Sequence, residues 1–255
     1  MAIALIGIDA AVKPKDTGIA LASYESGVTR LTAVGLLSLV ALTGLAAWTN
    51  SADQVLIAID APLGWPEPLS SGLVLHAAGD ALAEPADQMF LRETDRAVKR
   101  NIGKSGLSVG ADKIARTAHQ ALCLIEDLRN MTGQRIELAW EREPWNQAKM
   151  IEVYPAATLK ARHWTDTGYK DIGNRAKKDA AREIRSSLAT KLARCVDLNR
   201  FHDRLVEDDD QLDAALCVLA AADFMDGNSI QPVDLPLAEK EGWIWVTNPF
   251  DDAHV

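Results

Sequence analysis

The chain has 255 residues, 48% of them hydrophobic and 25% charged, with a formal net charge of −9. That length and composition suit a globular protein with one large core, and the acidic balance excludes a general nucleic-acid coat protein. Three widely separated cysteines, Cys123, Cys195 and Cys217, exclude a disulfide framework and point to a reducing compartment. No basic segment precedes an apolar run at the N-terminus, so no signal peptide is expected, and the cytoplasm is the expected location.

The run Ile3-Ala4-Leu5-Ile6-Gly7-Ile8-Asp9 is apolar up to its last residue. Such a run predicts a strand buried on both faces. A carboxylate at its end must lie at the sheet edge, because burying it unpaired is costly. Gly18–Ala22 predicts a second strand and Val28–Leu37 a third, joined through Glu25-Ser26-Gly27 as an antiparallel meander. No charged residue occurs from Leu31 to Ala52. Its length alone suits a membrane span, but Thr32, Gly35, Ser38, Thr43, Gly44 and Asn50 interrupt it, so a strand followed by a buried helix from Leu39 to Trp48 is expected, and no membrane partner. Leu56-Ile57-Ala58-Ile59-Asp60-Ala61 repeats the pattern of the first strand, and a right-handed crossover would lay it parallel to that strand.

Ala61–Pro68 is too rich in proline and glycine to continue the strand and is expected to be a rigid loop. Helices are predicted over about 87–100 and 112–131, around a Gly- and Ser-rich loop at 101–110. Ile136–Trp140 predicts a short strand, and Met150–Pro155 another that proline stops. A basic amphipathic helix is expected over 176–194 and an apolar one over 208–225, with Leu212, Leu216 and Leu219 sharing a face. Trp243–Val246 predicts a small closing strand. The chain therefore reads as one domain over 1–255, with a helical insertion at about 62–150.

The candidate chemistry lies in the carboxylates Asp9, Asp60, Glu152, Asp209, Asp210 and Asp213. Asp210 and Asp213 are neighbours on one helix face. Gathered carboxylates repel one another, and hard Mg²⁺ or Mn²⁺ offsets the repulsion. Two such ions can activate water and stabilise the leaving oxygen in phosphodiester cleavage. Asp208-Asp209-Asp210 equally suits a helix start, where carboxylates accept from free N–H groups and meet the helix dipole. His76, His119, His163, His202 and His254 have no zinc spacing, and no nucleophile elbow, P-loop or GxGxxG is present. Trp65 and Trp145 can stack on bases or pack inside.

Charge is segregated. Residues 160–194 hold ten Lys/Arg against four Asp/Glu, whereas 195–255 hold three against fourteen. Arg92, Arg96, Lys178 and Arg182 fall on two basic helices. They can hold phosphates through charge-assisted hydrogen bonds, or form solvated faces.

The order of these elements resembles the RNase H-like fold, in its Holliday-junction-resolvase branch. More narrowly, the chain resembles the predicted-nuclease family called domain of unknown function 429. The residues that carry the resemblance are Gly7-Ile8-Asp9, Ile59–Gly64, Arg92-x-x-Asp95-Arg96, Glu152–Pro155, Asp209-Asp210-x-x-Asp213-Ala214 and Glu241–Ile244. Thr94 stands where the family usually has cysteine, and Ser108–Ala111 replaces a proline-rich stretch. The resemblance implies an α/β fold with a mixed five-stranded sheet in the order 3-2-1-4-5, its second strand antiparallel, flanked by helices. It implies a metal-dependent nuclease acting on DNA or RNA. Asp9, Asp60, Asp210 and Asp213 would ligate Mg²⁺ or Mn²⁺, with Asp9 shared between two ions. Glu152 would add a ligand or orient water, and Arg92, Arg96, Lys178 and Arg182 would hold substrate phosphates. The alternatives are a nucleotide-binding phosphotransferase of the actin and sugar-kinase type, using the Ala10–Thr17 loop, and a catalytically silent binding module on the same fold.

Overall fold

The computed structural model describes residues 2–142, 144–170 and 173–250. The first half runs β1 (Ile3–Asp9), a single 3₁₀ turn at Pro14–Asp16, β2 (Gly18–Glu25), β3 (Val28–Leu36), α1 (Leu39–Ser51) and β4 (Val55–Asp60). Then follow α2 (Glu67–Leu73), α3 (Ala86–Phe90), α4 (Glu93–Ile102), α5 (Asp112–Thr132), β5 (Glu137–Leu138) and β6 (Lys149–Glu152). The chain continues through α6 (Pro155–Ala161), α7 (Arg175–Leu192), β7 (Val196–Asp197), α8 (His202–Glu207), α9 (Asp209–Asp226) and α10 (Leu235–Glu241).

One mixed sheet organises these elements, with seven strands in the order β5-β6-β4-β1-β2-β3-β7. The expectation of five strands is corrected: two-residue strands, β5 and β7, extend the two edges. β2 lies antiparallel to β1 and β3, while β4 and β6 run parallel to β1. Every residue of β1 is buried, as its unbroken apolar pattern requires.

The period-two alternation of strands sorts the two faces. Leu5 of β1, Leu56 and Ala58 of β4 and Ile151 of β6 pack under α9, with Leu212, Leu216 and Leu219. Ile6, Ile8, Ile57, Ile59 and Met150 point the other way, against Leu45 of α1 and Leu124, Ile125 and Leu128 of α5. α9 is buried along most of its length and crosses β1 and β2 directly. Gly7 and Gly18 permit that approach. A Cβ at Gly7 would come within 2.0 Å of the Ala214 carbonyl oxygen, and one at Gly18 within 2.1 Å of that of Asp210.

Three further expectations are corrected. The helix read over 87–100 is two helices, because Leu91 is extended and the Asp95 carboxylate accepts from the Arg92 N–H to start α4. The loop read over 61–68 ends earlier, since Glu67 opens α2. The closing strand at 243–246 forms no named strand, only an isolated bridge between Glu152 and Ile244, with a second between Ser229 and Thr247. Its apolar residues are buried by packing instead: Trp245 meets Phe224 edge-on, with ring centres 4.7 Å apart. The uncharged stretch 31–52 divides between β3 and the thirteen-residue α1, and no helix among the described residues is long and apolar enough to cross a membrane. His254 lies outside the described residues.

Candidate functional site

β1 and β4 run side by side with Asp9 in register with Asp60 at their carboxyl ends. By strand alternation both carboxylates belong to the face that α9 covers, two residues beyond Gly7 and Ala58. α9 begins over this same edge. Asp208 caps it, its side chain accepting from the Gln211 N–H, so the capping role that sequence left open falls to Asp208. Asp209 and Asp210 occupy the first turn and Asp213 lies one turn further in, buried. Three distant segments thus bring Asp9, Asp60, Asp210 and Asp213 into one electrostatic cluster.

One cation sits among them. The Lys170 ammonium contacts Asp213 Oδ2 and lies 3.8 Å from Asp9 Oδ2 and 4.0 Å from Asp209 Oδ2. The Tyr169 hydroxyl donates to Asp213 Oδ2 at 3.4 Å. The buried Arg185 of α7 holds this segment in place by donating to the Tyr169 carbonyl at 2.7 Å and to that of Val206 at 2.7 Å. Asp213 Oδ1 is buried with no hydrogen-bond partner among the described residues.

The excess of negative charge shows in the protonation of the cluster. Burial, then Asp213, push Asp60 up to about 8. Burial and Asp213 also lift Asp9 well above the carboxylate range, against the opposing pull of Lys170. Burial and Asp209 raise Asp210 to about 6. Burial raises Asp213 too, with Lys170 and Tyr169 working against it. Burial disfavours the Lys170 charge, but Asp213 and Asp9 outweigh it and keep the ammonium protonated. Beneath the cluster the buried Cys217 thiol donates to the Ile8 carbonyl at 3.5 Å, and burial followed by Asp60 holds it protonated.

Glu152, in register with Ile59, adds to the negative charge that raises Asp60, but its own partners lie outside the aspartate cluster. Both its oxygens are engaged: Oε1 accepts from Arg92 Nη2 at 2.7 Å, and Oε2 from Arg92 Nη1 at 2.8 Å and from the Leu63 N–H at 3.0 Å. Arg92 also binds Asp95 and is only 1% exposed, so its guanidinium is taken up by these two carboxylates. Arg96 is held by Glu93 and by the carbonyls of Asp87 and Leu91. Lys178 is exposed on α7, and the exposed Arg182 pairs with Glu207. The expected phosphate-binding set therefore divides into one buried structural residue and three at or near the surface.

Sequence reasoning missed Lys170 and Tyr169, which no spacing ties to the aspartates, and missed the buried supporting role of Arg185. It also missed the role of Glu241, whose buried carboxylate accepts from the Glu67 N–H at 2.8 Å and the Glu93 N–H at 2.7 Å. A single side chain thereby serves the N-termini of α2 and α4.

Among the described residues, no three His, Cys, Asp or Glu side chains converge as a ready ligand set for a metal ion. The donor chemistry nonetheless fits a hard cation, being all carboxylate oxygen, with an unpartnered buried oxygen on Asp213. No curated protein matches the chain. The model of the family described as "Protein of unknown function (DUF429)" matches residues 7–237, and the chain belongs to that family.

Proposed function

We propose that this protein is a metal-dependent nuclease that hydrolyses phosphodiester bonds of DNA or RNA on an RNase H-like core. The run β3-β2-β1-β4-β6 within the larger sheet supports the fold reading. The observation that carries the function is the meeting of Asp9, Asp60, Asp210 and Asp213, from three segments, against one ammonium among the described residues, that of Lys170. Structural carboxylates are normally paired one to one or solvated. An uncompensated cluster at a strand-end crevice of an α/β sheet, where perturbed carboxylates gather, suits a binding site instead.

In this reading Asp9, Asp60, Asp210 and Asp213 hold Mg²⁺ or Mn²⁺, and Lys170 balances the cluster until metal enters. A bound ion would activate water and stabilise the departing oxygen. Arg92 holds Glu152 rigid, and Glu152 in turn supports the neighbouring loop by accepting from the Leu63 N–H. Arg96 stays near the surface, and Lys178 and Arg182 offer positive charge to phosphates.

The test combines cleavage with metal-linked stability. Millimolar Mn²⁺ is expected to raise the melting temperature, since metal at about 100 times its dissociation constant adds about 2.7 kcal/mol. Asp9→Asn and Asp213→Asn are each expected to fold, to lose most of that shift and to lower Mn²⁺-dependent cleavage of oligonucleotides by at least about a hundredfold. Folded variants that cleave as well as the parent would place the active site elsewhere. Absence of any metal shift in the parent protein would favour the silent binding module.

A further inference from the structure

A cavity of about 290 Å³ opens beside Asp60, bounded by the loop after β4, the Gly106–Leu107 segment, the start of α5 and Tyr154. Pro62, Leu107, Ile114 and Ile244 supply apolar wall, and Arg92, Asp95 and Glu152 form a charged floor. Leu107 is 69% exposed, an apolar side chain displayed at the rim.

The chemistry of this lining selects among ligands. The floor is net negative, with Asp60, Asp95 and Glu152 facing one guanidinium, and Arg92 is consumed by Asp95 and Glu152. A phosphate would be repelled there, whereas a flat neutral ring would not. Small-ligand pockets run from about 300 to 1,000 Å³, so this one has room for a single ring system and not for a whole nucleotide. Tyr154 offers an aromatic surface, and its hydroxyl and that of Thr117 have no hydrogen-bond partner among the described residues. Both are available to the polar edge of a base.

We propose that this cavity receives one unpaired nucleobase of the strand whose phosphate lies at the aspartate cluster, which makes single-stranded or locally opened nucleic acid the substrate. The proposal rests on the nuclease reading for the placement of that phosphate. A base can enter only after leaving its stack, and that step costs least in a strand that is already unpaired.

Equilibrium binding and cleavage separate the two ideas. Adenosine monophosphate is expected to bind at least about tenfold more tightly than ribose 5-phosphate in the presence of Mn²⁺, the factor reflecting the buried base. Ile114→Trp, which fills the cavity, should erase that preference while leaving ribose 5-phosphate binding and the Mn²⁺ melting shift unchanged. Should Ile114→Trp fail to fold, Leu107→Ser at the exposed rim should weaken adenosine monophosphate binding alone. Equal binding of the two ligands, or a preference that survives the cavity-filling change, overturns the proposal without touching the nuclease reading. Cleavage of a blunt, fully paired duplex as fast as of a single strand overturns it as well. A base preference without cleavage of any strand would instead remove the nuclease reading and leave the pocket standing.

Discussion

Arg92 is the residue whose removal would be felt furthest. Its guanidinium neutralises Glu152 and Asp95 in a buried group, and burial is outweighed so strongly by these carboxylates that the charge is locked on. Breaking such a pair from one side strands the remaining charge, at a cost of about 3–5 kcal/mol. Arg92→Met is therefore expected to lower stability by about that amount in urea denaturation. A variant as stable as the parent would show that Glu152 and Asp95 find water or protons instead. Nothing in the run Arg92-Glu93-Thr94-Asp95-Arg96 reveals this role, because a basic residue on a helix reads equally as a phosphate ligand or a solvated face. The distinction depends on Glu152, sixty positions away, entering from β6. Lys170 was invisible for the same reason: it meets Asp213 across 43 positions, through a turn that has no pattern of its own.

At the scale of elements, the site depends on how closely α9 can lie on β1 and β2. The backbone of α9 runs over Gly7 and Gly18, and any larger residue there meets a carbonyl oxygen rather than a flexible side chain. Gly7→Ala is expected to destabilise the fold by about 1–3 kcal/mol, the usual effect of overpacking a close contact. Because α9 carries Asp210 and Asp213, the same change should reduce the Mn²⁺ melting shift even at temperatures where the variant is folded. Full retention of both stability and shift would mean that the helix can move without disturbing the carboxylates. β1 and β4 were legible in the sequence as apolar runs that each end on an aspartate, and α9 as a helix with Leu212, Leu216 and Leu219 on one face; the register of Asp9 with Asp60 came only with the sheet. Of the two edge strands, β5 falls within the short strand expected at Ile136–Trp140, whereas β7 was not legible, because a two-residue ladder leaves no periodicity. Nor was the fate of 243–246, where Trp245 buries its ring against Phe224 and Trp140 rather than joining a ladder strand.

For the whole molecule, the carboxylate cluster makes stability depend on pH in a direction opposite to that of ordinary acidic proteins. Asp60, raised to about 8, and Asp210, raised to about 6, bind protons in the folded chain that the unfolded chain has already released above its ordinary carboxylate range near 3.8. Asp9 and Asp213 are shifted the same way. Between about pH 4 and pH 8 the folded state therefore holds more protons than the unfolded state, and unfolding free energy falls as pH rises. Lys170 does not cancel this slope, since its raised value lies above the window and its contribution is constant across it. Without metal, the melting temperature is expected to fall steadily from pH 5 to pH 8. A divalent ion binds the ionised carboxylates, so its stabilisation should grow over the same interval and flatten or reverse the fall. The measurement is a set of melting curves across that range with chelator and with Mn²⁺. A metal-free curve that rises towards pH 8 would mean that the aspartates are ionised and compensated within the protein itself, and it would take away the electrostatic reason for placing a cation among them.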